Sequence, residues 1–175
     1  MAYCTEDIVS RSQWGAQDPT GKETMKTPVK IVFIHHTAGG RTTSKEKGME
    51  ITRGIQGFHK EERKWADIGY NFLVNEGGHV FEGRGWSLVG AHTKGMECSF
   101  CCVLYHGETL TSTSQIPRAV KAVLDMIQLG IDTGKISKDY KVYGHRDVGA
   151  TGCPGKYLYD IIKKWDKYST EKPSK

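Results

Sequence analysis

Two side chains of the types that bind a soft divalent metal ion share one loop of the chain, and a third lies at the end of an apolar stretch. His145 and Cys153 are eight positions apart, and residues 149–155 include three glycines and a proline. Such residues make a loop tight, so both side chains can be fixed without a helix between them. Imidazole nitrogen and thiolate sulfur are ligands that zinc prefers. The third ligand is best supplied by the His35–His36 pair, which follows an apolar stretch at 29–34.

His35, His145 and Cys153 together predict a catalytic zinc site. A catalytic zinc typically keeps three protein ligands and a fourth position for water, whose pKa it lowers to about 7 while it polarises a carbonyl. This is the chemistry of amide hydrolysis. The chain has no His-Glu-x-x-His pattern, which excludes the commonest metalloprotease arrangement. The alternative is a hydrogen-bonded core histidine, a loop histidine and an inert thiol.

The elements that must position these residues alternate between strands and helices. The apolar run 29–34 predicts a buried central strand that ends at the histidine pair. Thr43 and Glu46 form a capping box for a helix to about Lys60, whose apolar face is Met49, Ile51, Ile55 and Phe58. Further along we expect a hairpin (67–74 and 79–82), a strand (99–105), a helix from Ser114 to Leu129 that Gly130 stops, a strand at Tyr140 and a helix at 156–165.

This order of elements predicts a single α/β domain with a central mixed β-sheet flanked by helices. Residues 1–28 form an irregular lead-in segment anchored by Ile8 and Trp14, residues 29–168 form the domain, and residues 169–175 form a polar tail. Monomer is the default oligomeric state.

Composition excludes several classes of function. The chain is 37% hydrophobic and 26% charged, which suits a globular protein, and no run of eighteen apolar residues exists to span a membrane. The net charge of +5 is modest and the lysines are spread among acids, so nucleic acid is not an expected partner.

Five cysteines leave at least one thiol unpaired. Cys101 and Cys102 are adjacent on a predicted strand and point to opposite faces, so they are poor partners for each other. With Cys98, they are expected to be small buried side chains.

Seven sequence blocks resemble the animal peptidoglycan recognition proteins, in register from Ile8 to Trp165. This family is related to bacteriophage amidase lysozymes, and it contains both zinc N-acetylmuramoyl-L-alanine amidases and non-catalytic receptors. The blocks are Ile8–Ala16, His35–Ala38, Asp67–Val74, Glu82–Trp86, Gly90–Thr93, Gly144–Asp147 and Cys153–Gly155.

The resemblance implies a Zn²⁺-dependent amidase of bacterial peptidoglycan and muropeptides that acts in innate immunity. It places the zinc ligands on His35, His145 and Cys153, and catalytic roles on Tyr70 and Thr151. For Tyr70 the alternative is a core tyrosine at a strand end, and for the whole chain it is a binding module that senses peptidoglycan without cutting it. The implied substrate-binding residues are His36, Thr37, His59, Arg63, Lys64, Trp65, Tyr70, Arg84, His92 and Glu97.

Three of these positions discriminate between stem peptides in this family. Trp65 and Arg84 match members that prefer diaminopimelate, because an arginine can bind the extra carboxylate of that residue. Lys64 stands where glycine is usual, and Glu97 replaces a usual asparagine. The alternative for Arg84 is that it only braces its glycine-rich loop.

The chain also departs from the family pattern at its cysteines. The two cysteines of the family's usual short disulfide are replaced here by Thr42 and Gly48. Cys4 lacks the partner that it usually has in the family, and Cys101 stands where the family usually has glycine. Without these bridges, and with no signal segment in the sequence, we expect an intracellular protein. The alternative is a secreted protein whose mature form this chain represents.

Overall fold

The computed structural model describes residues 7–37, 39–96, 99–105 and 116–173. Its strands are β1 (Ile8–Val9), β2 (Val29–Thr37), β3 (Phe72–Val74), β4 (Val80–Glu82), β5 (Phe100–Tyr105) and β6 (Ile136–Gly144). Its helices are α1 (Arg11–Trp14), α2 (Lys45–Glu61), α3 (Ile116–Asp132) and α4 (Lys156–Ile162), with a 3₁₀ turn at His145–Asp147.

The six strands form one mixed sheet in the order β1-β4-β3-β5-β2-β6. Only the β3–β4 hairpin is antiparallel, and the other neighbours are parallel. The predicted α/β class and the hairpin are therefore confirmed. β2 pairs with a strand on each side, which explains its nearly continuous apolar sequence.

Two apolar clusters cover the two faces of the sheet. The larger one joins Ile34 and Cys102 to α3 and α4, and the smaller one joins Leu73 and Phe81 to α1 and α2. Successive side chains of a strand point to opposite faces, so residues of the same strands divide between the clusters. Among the described helices, none is both long and apolar enough to cross a membrane.

The segment before β2 is more ordered than the predicted irregular lead-in. β1 pairs with β4, and α1 follows it. Trp14 is completely buried and donates from Nε1 to the Glu82 carbonyl at 2.8 Å, while Ile8 packs against the larger cluster. Both predicted anchors are confirmed. At the other end, Ser169 donates its N–H to the Val142 carbonyl at 3.1 Å, so the predicted tail begins against the sheet.

The cap of α2 is Ser44 and not the predicted Thr43. Ser44 has the extended backbone that a cap requires, and its hydroxyl accepts from the N–H of Lys47 at 3.2 Å. The Glu46 carboxylate accepts from the Ser44 hydroxyl. Glu46 therefore supports a cap that lies one residue after the predicted cap.

Gly130 does not end α3, which continues to Asp132. A Cβ at Gly130 would lie 2.6 Å from Ile136 and 2.7 Å from Trp86, so this glycine permits close packing. The chain turns at Gly134, whose φ is +68°. The predicted cap Ser114 lies outside the described residues.

Strand bounds also differ from the prediction. β2 continues through His35, His36 and Thr37, which pair with β5. β3 begins only at Phe72, because the Asp67 carboxylate bonds the Ile68 N–H and holds that stretch in a loop. β6 begins at Ile136, earlier than the predicted strand at Tyr140, because polar residues are tolerated on a strand at the edge of the sheet. α4 ends at Ile162, before the predicted end at Trp165.

Candidate metal centre and groove

The structure brings together the three residues predicted as metal ligands. His35 lies near the end of β2, and His145 follows β6, whose Gly144 pairs with Ile34 beside it. The two imidazole centroids are 4.5 Å apart, and the Cys153 Sγ lies 3.7 Å from Nδ1 of His35. One ligand atom from each of the three residues lies within 4.8 Å of the others. This spacing leaves room for an ion between them after small side-chain movements.

Main-chain contacts hold the Cys153 loop against the His145 turn. The Arg146 N–H donates to the Cys153 carbonyl at 2.9 Å, and the Arg146 guanidinium donates to the Gly152 carbonyl. The exposed Thr151 hydroxyl accepts from the Cys153 N–H at 3.2 Å. Thr151 therefore helps position a ligand, a role that the sequence did not indicate.

Asp147 anchors the turn that carries His145. Its carboxylate accepts from the Gly144 N–H at 2.7 Å, from the Tyr159 hydroxyl at 2.6 Å and from the Tyr168 hydroxyl at 3.2 Å. These bonds tie the turn to α4 and to the segment after it. The sequence did not indicate this role of Asp147, because neither tyrosine is near it in the chain.

The second ring nitrogen of His35 contacts Thr93. The Thr93 Oγ1 lies 3.2 Å from Nε2 of His35 and 3.0 Å from Nδ1 of His92. When Nδ1 of His35 presents its lone pair towards Cys153, Nε2–H donates to Thr93, and the hydroxyl donates onward to His92. Thr93 is a positioning residue that sequence reasoning missed, although it belongs to the quoted block 90–93.

The protonation states suit a thiophilic metal ion. Burial, followed by the neighbouring His92, holds the pKa of His35 well below its ordinary value, and burial also lowers the pKa of His145. Both rings are therefore neutral near pH 7 and offer lone pairs. Burial raises the pKa of the Cys153 thiol to about 11, against smaller opposing effects of the His36 N–H and Arg146. The thiol must lose its proton when a metal binds. These donors fit zinc.

A groove of about 640 Å³ opens in front of this centre. Most of the predicted substrate-binding residues lie on its walls. They are His36, Thr37, His59, Arg63, Trp65, Tyr70 and His92.

Tyr70 and His59 pack side by side on the groove wall. The Tyr70 ring centroid lies 6.0 Å from that of His35 and 5.4 Å from that of His59. Burial raises the pKa of Tyr70, so its hydroxyl remains a hydrogen-bond donor. Nδ1 of His59 accepts from the Gly69 N–H at 3.0 Å, and burial lowers the pKa of His59 to about 4.

One wall of the groove was missed by the sequence analysis. Ile51, Ile55 and Phe58 of α2 line it, and Phe58 is 50% exposed. The buried residues of α2 are instead Gly48, Thr52, Gln56 and His59. Ile51 and Ile55, with Met49, also pack against the smaller apolar cluster, so the predicted apolar face is divided between the core and the groove wall. Gly48, Thr52 and Gln56 recur once per helical turn, and this regular spacing of small or polar residues indicated the buried face.

Three predicted substrate-binding residues are not placed in the groove. Arg84 donates from Nε to the Ile68 carbonyl and from Nη1 to the Val89 carbonyl, both at 2.7 Å, so it braces its loop. Lys64 is exposed and has a φ of +58°. Glu97 lies outside the described residues.

Comparison with known proteins gives consistent matches. The family model described as N-acetylmuramoyl-L-alanine amidase matches residues 25–156. Peptidoglycan recognition protein 1 of Mus musculus is 37% identical over 168 residues, which cover 96% of this chain and 92% of the relative.

Solved structures agree with these sequence matches. Drosophila PGRP-LB superposes with a TM-score of 0.89 at 34% identity, covering 95% of this chain and 98% of that one. Peptidoglycan recognition protein LE, solved in complex with tracheal cytotoxin (monomeric diaminopimelic acid-type peptidoglycan), gives 0.88 at 35% identity, covering 94% and 97%.

Proposed function

The chain belongs to the N-acetylmuramoyl-L-alanine amidase family and, within it, to the peptidoglycan recognition proteins. We propose that it is a zinc-dependent amidase of bacterial peptidoglycan that acts in innate immunity. The observation that carries this proposal is the convergence of His35, His145 and Cys153 at the groove. A chain that only bound peptidoglycan would have no need of a thiol and two neutral imidazoles at one point of its groove.

The reaction is hydrolysis of the amide between the lactyl group of muramic acid and L-alanine. Water supplies hydroxyl to the lactyl carbonyl carbon and a proton to the departing amine nitrogen. Zinc, when bound by His35, His145 and Cys153, supplies Lewis-acid polarisation. The Tyr70 hydroxyl, protonated and on the groove wall, donates to the carbonyl oxygen as negative charge develops there.

The groove walls hold the rest of the substrate. Phe58, Ile55 and Trp65 offer apolar and aromatic surface, and the Arg63 guanidinium lies over the Phe58 and Trp65 rings at 5.5 and 5.9 Å. We include in the proposal a preference for diaminopimelate-type stem peptides. Trp65, which lines the groove, supports it, as does the ligand named for the LE relative. Arg84 supports it by its position in the sequence alone, because its Nε and Nη1 brace the loop.

The deciding experiment measures release of stem peptide from a defined muropeptide. We expect turnover by the zinc-loaded wild type and a loss of at least a hundredfold in Cys153→Ala, because a zinc ligand is removed. Cys102→Ala, which removes another buried thiol from the apolar core, serves as the control and should retain turnover. Equal turnover by Cys153→Ala and wild type would overturn the proposal.

A binding module that senses peptidoglycan is the second candidate. The α2 wall favours it, because Ile51, Ile55 and Phe58 can bind a muropeptide without any metal. Muropeptide affinity in a zinc-loaded protein with no turnover would select this function.

We also propose a reducing, intracellular environment. Cys101, Cys102 and Cys153 are all free and buried, so none of them forms a bridge. Titration of unfolded protein from its native source should find about five free thiols. Two or more disulfides in that material would show that the protein is exported.

A further inference from the structure

A second group of metal-ligating side chains lies beside the first and includes a cysteine that the proposed reaction does not use. His35, His92 and Cys101 each offer one ligand atom within 4.8 Å of the others. Their residues are 2%, 8% and 0% exposed, so all three side chains are buried, with His35 and His92 at the groove wall.

The position of Cys101 distinguishes it from an ordinary buried thiol. In the register of β2 and β5, Cys101 pairs with Phe33 and Val103 pairs with His35, which places Cys101 on the same face of the sheet as His35. Cys102, its neighbour, packs in the larger apolar cluster, whereas Cys101 belongs to neither cluster of the described residues.

His92 supplies an independent indication of a ligand. Its Nε2 is buried and makes no hydrogen bond of acceptable geometry with any described residue, although the Ser99 backbone is close enough to favour its protonation. When Nδ1 of His92 carries the proton and donates to the Thr93 hydroxyl, this buried Nε2 presents a lone pair, which is costly unless something coordinates it.

We propose that His35, His92 and Cys101 form a second ligand set that holds a thiophilic divalent ion such as Zn²⁺. Binding converts the Cys101 thiol to a thiolate and releases one proton. A neutral imidazole has one lone pair for a metal, so His35 serves either this set or the set with His145 and Cys153, one ion at a time. His35 and His92 line the groove and Cys101 does not, so an ion held here lies at the base of the groove wall and further in than one held with Cys153. This inference does not depend on amidase activity.

The test uses Co²⁺ as a spectroscopic probe of metal-free protein, because a thiolate-to-Co²⁺ charge-transfer band reports a bound cysteine. Cys153→Ala, which lacks the thiol of the first set, should still show the band with one Co²⁺ per chain. Cys153→Ala/Cys101→Ala should lose the band and bind Co²⁺ at least tenfold more weakly. The matched control Cys153→Ala/Cys102→Ala should keep the band.

Each outcome decides the proposal. Absence of the band in Cys153→Ala, or its persistence when Cys101 is also replaced, overturns it. Circular dichroism of each variant checks folding, and Cys153→Ser replaces Cys153→Ala if the latter does not fold. A wild type without amidase turnover would refute the proposed function and leave this result unchanged.

Discussion

The Thr93 hydroxyl lies 3.2 Å from Nε2 of His35, while the other nitrogen of that ring faces the Cys153 sulfur at 3.7 Å. One side chain thus connects a β2 histidine to the loop before β5, and its hydroxyl can accept from Nε2–H of His35, which leaves the Nδ1 lone pair for a metal. A partner of this kind orients a metal-ligating histidine and makes it a better ligand.

Replacing Thr93 by valine should therefore weaken metal binding without removing a ligand. We expect a loss of about 10–100-fold in Zn²⁺ affinity, measured by competition with a chromophoric chelator. Thr93→Ser keeps the hydroxyl and should bind nearly as tightly as wild type. An unchanged affinity in Thr93→Val would show that Thr93 does not set the state of His35.

The sequence predicted which candidate ligands would lie together better than it predicted what holds them in place. His35, His145 and Cys153 are identified by chemical type, and their convergence follows from the parallel pairing of β2 and β6. Thr93 and Asp147 act through hydrogen bonds between residues far apart in the chain, which no local pattern encodes.

The groove shows the same limit. The apolar residues of α2 have helical spacing, and that pattern normally marks a buried face. Here Gly48 meets the Phe81 ring so closely that a Cβ would lie 2.3 Å from it, so the small and polar face of α2 packs inward. Ile51, Ile55 and Phe58 are left on the groove wall.

Asp147→Asn should loosen the turn that carries His145. The carboxylate accepts three hydrogen bonds, and an amide would present its NH₂ group to one of those donors. We expect the free energy of unfolding of the metal-free protein to fall by about 1–3 kcal/mol, measured by urea denaturation. Tyr168→Phe removes the longest of the three bonds and the 2.9 Å contact between the Tyr159 and Tyr168 hydroxyls, but it leaves the two shorter bonds to Asp147 and should cost less. If both variants matched wild type, the anchoring role of Asp147 would be wrong.

Lys64 occupies a backbone conformation that favours glycine, with a φ of +58°. Lys64→Gly should relieve this strain, whereas Lys64→Ala keeps it and removes only the exposed side chain. After allowing for the greater flexibility of unfolded glycine, we expect Lys64→Gly to be about 1 kcal/mol more stable than Lys64→Ala. Thermal unfolding of the two variants checks the difference, and equal stability would argue against strain at this position.

Stability should fall as the pH is lowered through the range set by His59. The folded pKa of about 4 lies below the unfolded value of about 6.5, so the unfolded chain binds more protons between these limits. The stability is fully present above pH ~6.5 and is lost progressively towards pH ~4. His59→Asn keeps an acceptor for the Gly69 N–H but cannot titrate, so its unfolding free energy should change less steeply over this range. A slope identical to wild type would contradict the assignment.

The last prediction concerns the third residue of the stem peptide. A cation near the groove favours the extra carboxylate of diaminopimelate over lysine, and a charged hydrogen bond is worth about 1.5–3 kcal/mol. We therefore expect at least roughly tenfold preference for the diaminopimelate-type muropeptide, measured as paired affinities. The Arg84 guanidinium already donates from Nε and Nη1 to two carbonyls, so Nη2 is the group with which it can meet a ligand carboxylate while the loop stays braced.

Arg84→Ala separates recognition from bracing. Loss of a brace alone weakens both muropeptides alike and leaves their ratio unchanged, whereas loss of a carboxylate partner lowers the ratio. Arg11→Ala is the matched control, because Arg11 also braces this loop, by donating to the Gly83 carbonyl at 2.7 Å, while its guanidinium is paired with Asp67 at 3.0 Å. We expect the ratio to fall in Arg84→Ala and to hold in Arg11→Ala. A wild-type preference for the lysine type, or equal ratios in wild type and Arg84→Ala, would show that Arg84 does not determine specificity.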